Sequence, residues 1–236
     1  MDNSQITQMQ TALQRGEYEV TGQFTLGSNY TFLVAVHHKG KEYHAVYKPM
    51  RGEQPLWDFP ENTLAGREVA AYLVSEQLGF HIVPFTTLRQ DGPYGAGSLQ
   101  QLIEYDPEYH YFSFSDEDRQ LLKPIALFDL LCNNADRKGS HILFEKDTHR
   151  LYAIDHGICF HEDNKLRTVL WDFAGQKIPA DLLAPLSGVK SLLPSLEPYL
   201  TPRELSALCA RAEGILKRGT FPRQPRDRRA LPWPPL

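Results

Sequence analysis

Two aspartates near the middle of the chain, Asp136 and Asp155, each follow an apolar segment. Asp136 lies in the polar run Asn-Ala-Asp-Arg-Lys-Gly-Ser-His at residues 134–141, and Asp155 follows the strand-like residues 151–154. One carboxylate of such a pair can accept a proton from an attacking hydroxyl group, and the other can hold a divalent cation against nucleotide phosphates. Residues 142–154 predict a β-hairpin, which would bring both carboxylates to the same edge of a cleft.

These residues also have purely structural explanations. Asp136 follows Asn-Asn-Ala, a composition common in turns, and Asp155 could belong to an ordinary turn after its strand. His141 follows Asp136 by five residues. It could bind a divalent cation as a neutral imidazole, or it could enter the next strand with its ring hydrogen-bonded. Because Mg²⁺ prefers oxygen ligands, His141 favours Mn²⁺ or a hydrogen-bonding role.

A lysine and a glutamate upstream could complete a nucleotide site. Lys48 ends the strand-like run Ala-Val-Tyr-Lys, and a lysine at the edge of a cleft can reach the α- and β-phosphates as a point charge. Glu68 lies on the next predicted helix, where its carboxylate could orient Lys48. Taken alone, Lys48 is more typical of a surface lysine, and Glu68 beside Arg67 is more typical of a solvated helix face.

A turn between two predicted strands carries Gly27, Ser28 and Asn29. Backbone N–H groups in such a turn can lie close to phosphate oxygens. An ordinary hairpin turn is the simpler interpretation of these three residues. The turn is not a Walker A loop, because no Gly-Lys-Ser/Thr sequence follows it.

Composition excludes several classes of protein. The chain has 236 residues, of which 42% are hydrophobic and 23% charged, as in ordinary globular proteins. A formal net charge of −4 argues against a general nucleic-acid binder. We find no apolar run long enough to cross a membrane and no signal peptide at the N-terminus. The three cysteines contain no Cys-x-x-Cys pair, which favours reduced thiols and a cytoplasmic location.

Hydrophobic periodicity divides the chain into a β-rich part and a helical part. The first part is predicted to contain helices at residues 4–15 and 62–78 and strands at 18–24, 30–36, 43–48, 83–88 and 98–104. The second part is predicted to contain helices at residues 115–132, 180–186 and 202–218 and the hairpin of 142–144 and 151–154. Residues 221–236 are rich in proline and arginine, and no regular structure is predicted there.

These patterns predict an α+β architecture with two lobes. The β-rich N-terminal lobe with one long helix is expected at residues 1–105, and the mainly helical C-terminal lobe with the catalytic loops at residues 106–220. Residues 221–236 would form a separate tail.

The two aspartate loops, residues 134–143 and 153–160, resemble the catalytic and metal-binding loops of phosphatidylinositol 3/4-kinase-like proteins. They are especially similar to the type II phosphatidylinositol 4-kinase pattern, in which Asp-Arg precedes an Asn by four further residues and an Ile-Asp-x-Gly follows. The chain as a whole looks like the small bacterial branch of that group. Residues 56–60, 66–72 and 166–172 support this resemblance, which covers nearly the whole chain.

The resemblance implies a two-lobed, protein-kinase-like fold that binds ATP with Mg²⁺ or Mn²⁺. It implies that Asp136 is the catalytic aspartate, with Arg137 beside it in the catalytic loop. It further implies that Asp155 is a metal ligand, with His141 at the second metal position.

For the nucleotide, the resemblance implies that Lys48 contacts the ATP phosphates and that Glu68 is its helical partner. Gly27, Ser28 and Asn29 would lie over the phosphates. Backbone groups of Leu102 and Glu104 would face the adenine.

One departure from the family pattern keeps other functions open. His141 stands where the family has Asn, so the chain could be a pseudokinase that binds nucleotide without transfer. It could also transfer AMP to a protein, as another kinase-like branch does, or act as an adaptor through its tail. The expected activity is transfer of the γ-phosphoryl group of ATP to an acceptor, and no side chain chooses between a protein, a metabolite, a sugar and a lipid.

Overall fold

A computed structural model describes residues 3–24 and 30–236. The first part of the chain forms a five-stranded antiparallel sheet with strand order β1-β2-β3-β5-β4. Two helices accompany the sheet. The elements are α1 (Asn3–Arg15), β1 (Glu17–Phe24), β2 (Thr31–His38), β3 (Lys41–Pro49), α2 (Leu64–Gln77), β4 (Thr86–Gly92) and β5 (Gly95–Gln101).

The second part is mainly helical and contains one short hairpin. Its elements are α3 (Asp116–Gln120), α4 (Lys123–Cys132), β6 (Ile142–Phe144), β7 (Leu151–Ala153), α5 (Ala180–Leu183), α6 (Val189–Leu196) and α7 (Pro202–Arg218). The strands β6 and β7 are antiparallel. Helix α7 begins with a capping box, in which Thr201 and Glu204 exchange side-chain-to-backbone hydrogen bonds.

Most of the buried hydrophobic residues that the structure describes belong to a small or a large cluster. In the small one, Leu13 of α1 packs with Val34 and Leu99 of the sheet. The large one joins α4, α6, α7 and the hairpin. Helix α2 contributes Ala70 and Val74 to the large cluster. Helix α2 therefore connects the sheet to the helical part of the molecule.

Most predicted elements are confirmed, and the differences have local causes. The single helix predicted at residues 115–132 is wrong, because the structure has two helices, α3 and α4. Pro124, in the first turn of α4, lacks an N–H and starts a new helix more readily than it continues one. Strands β4 and β5 extend into residues 89–97, which lie between the strands predicted at 83–88 and 98–104. Helix α6 was not predicted.

Residues 222–236 contain no helix or strand, as predicted, yet parts of this tail are packed. Ala230 is 6% exposed. Its carbonyl accepts hydrogen bonds from the N–H of Thr168 at 3.1 Å and from Nε1 of Trp171 at 3.3 Å. The carbonyl of Pro235 accepts one from the N–H of Gly139 at 2.8 Å. The tail therefore lies against the loop that carries Asp136.

Within residues 3–24 and 30–236, no helix is long and apolar enough to cross a membrane.

Candidate active site

Lys48 lies at the centre of a charged cluster in which three elements meet. Its Nζ atom is 2.5 Å from Oε1 of Glu68 on α2 and 3.0 Å from Oδ1 of Asp155, which follows β7. Burial alone would lower the pKa of Lys48, but the negative charges of Asp155 and Glu68 raise it above its ordinary value. The lysine is therefore cationic, and it joins β3, α2 and the turn after β7.

Glu68 also fixes the backbone beside Asp155. Its side chain is only 2% exposed, and its second oxygen accepts a hydrogen bond from the N–H of His156 at 3.0 Å. Asp155 has a φ of 62°, a left-handed conformation that Asp adopts more easily than most residues. Burial would raise the pKa of Asp155, but the positive charge of Lys48 lowers it well below its usual range. Asp155 is therefore held as a carboxylate.

His141 contacts the same carboxylate. Its Nε2 atom is 3.3 Å from Oδ2 of Asp155. Burial lowers the pKa of His141 to about 4, against the opposing effect of the Asp155 charge. The ring is therefore neutral at neutral pH, and Lys48 supplies the positive charge that keeps Asp155 ionised.

Asp136 is the partly exposed carboxylate of the loop after α4. Its N–H donates to Oδ1 of Asn134 at 2.9 Å, and its Oδ2 atom is 3.5 Å from Nζ of Lys138. The pKa of Asp136 is raised to about 6. Burial has the largest effect and raises it, the charge of Lys138 lowers it, and the charge of Asp155 raises it. Asp136 can therefore take up a proton much closer to neutral pH than an ordinary aspartate can.

Arg137, the next residue, points into the interior. Its Nε atom is 3.1 Å from Oδ1 of Asp129, its Nη1 atom donates to the carbonyl of Ile154 at 2.6 Å, and its Nη2 atom lies 2.7 Å from Nε2 of His156. The side chain is fully buried. The guanidinium thus connects the Asp136 loop to the carbonyl of Ile154 and the ring of His156, the two residues that flank Asp155.

The chain is similar to a protein of Mycobacterium tuberculosis. It is 38% identical to protein Rv2133c, and the match covers 93% of this chain and 92% of that one. The chain belongs to the same family as Rv2133c. No protein-family model matches it.

One solved structure identifies the fold of this family member, and a second is similar to it more weakly. The crystal structure of the proinflammatory kinase CtkA of Helicobacter pylori matches 87% of this chain and 93% of its own, with a TM-score of 0.54 at 12% identity. The toxin HipA of Shewanella oneidensis, solved with HipB and operator DNA, matches 84% of this chain and 66% of its own, with a TM-score of 0.48 at 12% identity. The match to CtkA shows that the fold is α+β and protein-kinase-like, as predicted.

Of the remaining predicted site residues of this Rv2133c-family chain, two make backbone hydrogen bonds elsewhere and three fall outside the described residues. The N–H of Leu102 donates to the carbonyl of His44 at 3.2 Å, and the carbonyl of Glu104 accepts from the N–H of Lys146 at 2.9 Å. These residues follow β5 and join the sheet to the helical part. Gly27, Ser28 and Asn29 fall among residues 25–29, which the structure does not describe.

Sequence reasoning missed two groups that support the site. Lys138 was not singled out, although its position two residues after Asp136 places it in the same loop. Glu68 beside Arg67 was, taken alone, more typical of a solvated helix face, but the side chain of Arg67 is 1% exposed and its Nη2 atom is 2.5 Å from Oε1 of Glu204. The partner of Arg67 lies 137 residues away in the chain, so no local pattern indicates the pair.

Proposed function

We propose that this protein is an ATP-dependent phosphotransferase related to the phosphatidylinositol 3/4-kinase-like proteins. The observation that carries the proposal is the contact of Lys48 with both Glu68 and Asp155 in a kinase-like fold. A cationic lysine held by a helical glutamate, beside an ionised aspartate, is the arrangement that phosphoryl transfer from ATP requires. Lys48 would contact the phosphates of the nucleotide.

The adenine would lie against the segment that follows β5. Among the described residues, the carbonyl of Leu102 and the N–H of Glu104 have no backbone hydrogen-bond partner. One acceptor and one donor, two residues apart, match the exocyclic amine and the neighbouring ring nitrogen of an adenine. The proposal assigns these two groups to adenine recognition, and it assigns Gly27, Ser28 and Asn29 to the phosphates.

Asp155 and His141 would hold the divalent cation that ATP brings. An ionised carboxylate suits Mg²⁺ or Mn²⁺, and a neutral imidazole suits Mn²⁺ better. Among the described residues, no cluster of three or more acidic, histidine or cysteine side chains could hold a metal alone. These two donors therefore fit a cation that takes its other ligands from phosphates and water. When bound, the cation would neutralise charge on the transferred phosphoryl group.

Asp136 would orient the acceptor hydroxyl and take its proton. Its pKa of about 6 leaves it mostly ionised at neutral pH and able to accept a proton. Arg137 is placed to position this loop rather than to touch a substrate, because its guanidinium is buried and fully engaged. Lys138, 3.5 Å from Asp136, would keep the carboxylate oriented.

The test is ATP affinity, measured by isothermal titration calorimetry with and without Mg²⁺. Lys48→Met should weaken binding of Mg·ATP at least about tenfold, since it removes a charge-assisted contact to phosphate. Asp155→Ala should remove the dependence on Mg²⁺. The matched control is Lys190→Met, which changes an exposed lysine paired with Glu213 on the helical surface.

The control should bind ATP as the unchanged protein does. Equal affinities in Lys48→Met and the unchanged protein would contradict the proposal, as would the lack of saturable ATP binding by the unchanged protein.

A further inference from the structure

Two segments of the surface carry opposite charges. The acidic segment, residues 104–121, contains six carboxylates and one arginine, whereas the tail, residues 221–236, contains four arginines and one aspartate. The formal net charges of their side chains are therefore −5 and +3, in a chain whose net charge is −4. Positive and negative groups are thus separated between these segments rather than mixed.

Most of these charges have no oppositely charged partner within the described chain. In the acidic segment, the ion pairs belong to Asp118 and Arg119. Five exposed carboxylates form no ion pair with a described residue, namely those of Glu104, Asp106, Glu108, Asp116 and Glu117. In the tail, Arg228 and Arg229 donate to carbonyl oxygens, and no tail arginine pairs with a described carboxylate. Both sets of charges are therefore available to another molecule.

The same two segments carry most of the exposed large apolar side chains. Of the eleven such residues in the described chain, six lie in these segments, which make up 34 of the 236 residues. They are Tyr105, Phe112 and Leu121 in the acidic segment and Leu231, Trp233 and Leu236 in the tail. Exposed apolar side chains that are rimmed by charges are typical of a surface that another protein covers.

Gly139 joins the two segments. Its N–H donates to the carbonyl of Pro235 in the tail at 2.8 Å, and its carbonyl accepts from the N–H of Tyr111 in the acidic segment at 3.4 Å. A Cβ atom at this position would lie 2.8 Å from the ring of Phe112. The tail and the acidic segment therefore lie side by side, with the loop that carries Asp136 between them.

The tail also offers a concave surface. Residues between 224 and 233 line an open cavity of about 440 Å³. Its lining includes the charged side chains of Arg228 and Arg229 and the apolar side chains of Leu231 and Trp233. Such a lining suits an apolar side chain that lies next to a carboxylate, and the acidic segment carries both kinds of group.

We propose that the tail and the acidic segment form the interface of a homodimer with two-fold symmetry. In a two-fold interface both copies bury the same surface, so this surface must be complementary to itself. A basic and an acidic segment side by side meet this requirement. Rotation about an axis between them places the tail of one copy against the acidic segment of the other. The partner is a second copy because one chain carries both halves of the match.

The first test is the mass of the protein in solution, measured by sedimentation and light scattering over a range of protein concentrations. The monomer has a mass of 27.0 kDa, and the unchanged protein should approach twice this mass as the concentration rises. Trp233→Ala should raise the dissociation constant of the dimer at least about tenfold. Trp57→Ala is the matched control, because Trp57 is 91% exposed and lies outside both segments.

Charge reversal tests the pairing of the two segments. Arg226→Glu/Arg229→Glu changes the tail from +3 to −1, and Asp106→Lys/Glu108→Lys/Glu117→Lys changes the acidic segment from −5 to +1. Each variant alone should remain monomeric at concentrations at which the unchanged protein dimerises, because its two segments now have charges of the same sign. An equimolar mixture should dimerise again. Mixing does not rescue a variant that has only failed to fold.

The proposal is overturned if the unchanged protein stays monomeric at every concentration, if both charge variants dimerise as well as it does, or if their mixture does not dimerise. It is also overturned if Trp57→Ala weakens the dimer as much as Trp233→Ala does. A monomer whose tail arginines bind polyglutamate, or vesicles that contain phosphatidylserine, would assign the tail to another partner and would equally contradict the proposal.

Discussion

The pKa values of the two aspartates of the candidate site are shifted in opposite directions by their surroundings. Asp155 contacts Lys48 and has a lowered pKa, whereas the pKa of Asp136 is raised to about 6 by burial. Pairs of titratable groups whose environments separate their pKa values often divide the roles of charge stabilisation and proton transfer. Here the separation agrees with Asp155 as cation ligand and Asp136 as proton acceptor.

Asp136→Asn should inactivate the protein and stabilise its fold. A raised folded-state pKa means that ionised Asp136 destabilises the fold. This penalty is absent below about pH 4 and fully present above about pH 6. A shift of that size corresponds to roughly 1–3 kcal/mol at pH 7. We expect the free energy of unfolding in urea to rise by such an amount at pH 7, and little at pH 4, while ATP turnover is lost.

Equal unfolding free energies of Asp136→Asn and the unchanged protein at both pH values would show that burial of ionised Asp136 does not destabilise the fold. Retained turnover in Asp136→Asn would contradict its role as proton acceptor.

The sequence predicted some of the contacts at the candidate site and missed others. The sequence predicted that Glu68, on the helix after the strand of Lys48, could orient this lysine, and the structure brings both Glu68 and Asp155 to it. The burial of Arg67 could not be predicted, because its partner Glu204 belongs to a distant helix. Arg137 is similar, since only the folded chain shows that Asp129 and Ile154 surround its guanidinium.

At the scale of elements, helix α2 is held in place from the helical part of the molecule. Arg67, next to Glu68, donates to the carbonyl of Cys159 at 2.7 Å and to Oε1 of Glu204 at 2.5 Å. Its guanidinium also lies 4.8 Å from the ring of Phe59. These contacts fix the helix that presents Glu68 to Lys48.

Arg67→Met should destabilise the protein by about 3–5 kcal/mol, because it leaves the buried carboxylate of Glu204 without its cation. The double variant Arg67→Met/Glu204→Gln should recover part of this loss, since no unpaired charge remains. Urea unfolding followed by circular dichroism measures both. An equal loss in the single and double variants would show that packing, rather than charge, sets the contribution of Arg67.

Element boundaries were harder to predict than element types. The apolar pattern of residues 115–132 continues through Pro124, so it indicated one helix where the structure has α3 and α4. Ser115 is the N-cap of α3, and its hydroxyl accepts a hydrogen bond from the N–H of Asp118 at 3.1 Å. An N-cap depends on a few neighbouring residues and can be recognised in the sequence. Whether a helix continues or a new one begins depends on tertiary packing as well.

At the scale of the whole molecule, the tail and the loop that carries Asp136 support each other. The carbonyls of Pro235 and Ala230 accept the N–H groups of Gly139 and Thr168, at 2.8 and 3.1 Å. Gly139 lies between Asp136 and His141 in sequence. Residues 222–236, which contain no helix or strand, thus help to hold the candidate site in place.

Deletion of residues 228–236 should expose these two amides. We expect amide hydrogen exchange at Gly139 and Thr168 to accelerate at least about tenfold, because both lose their acceptor. Exchange at Val34, on a strand that is paired on both sides in the five-stranded sheet, should not change and serves as the internal control. Unchanged protection of Gly139 and Thr168 would mean that the tail does not restrain the catalytic loop.

The central claim is that this kinase-like fold transfers the γ-phosphoryl group of ATP. The most direct measurement is chromatographic identification of the nucleotide products after incubation with ATP and Mg²⁺ or Mn²⁺, beside the Asp136→Asn variant. The account predicts ADP, formed by slow transfer to water or to the protein itself, and its loss in the variant. AMP or pyrophosphate as the product, or ADP formed equally by both proteins, would contradict it.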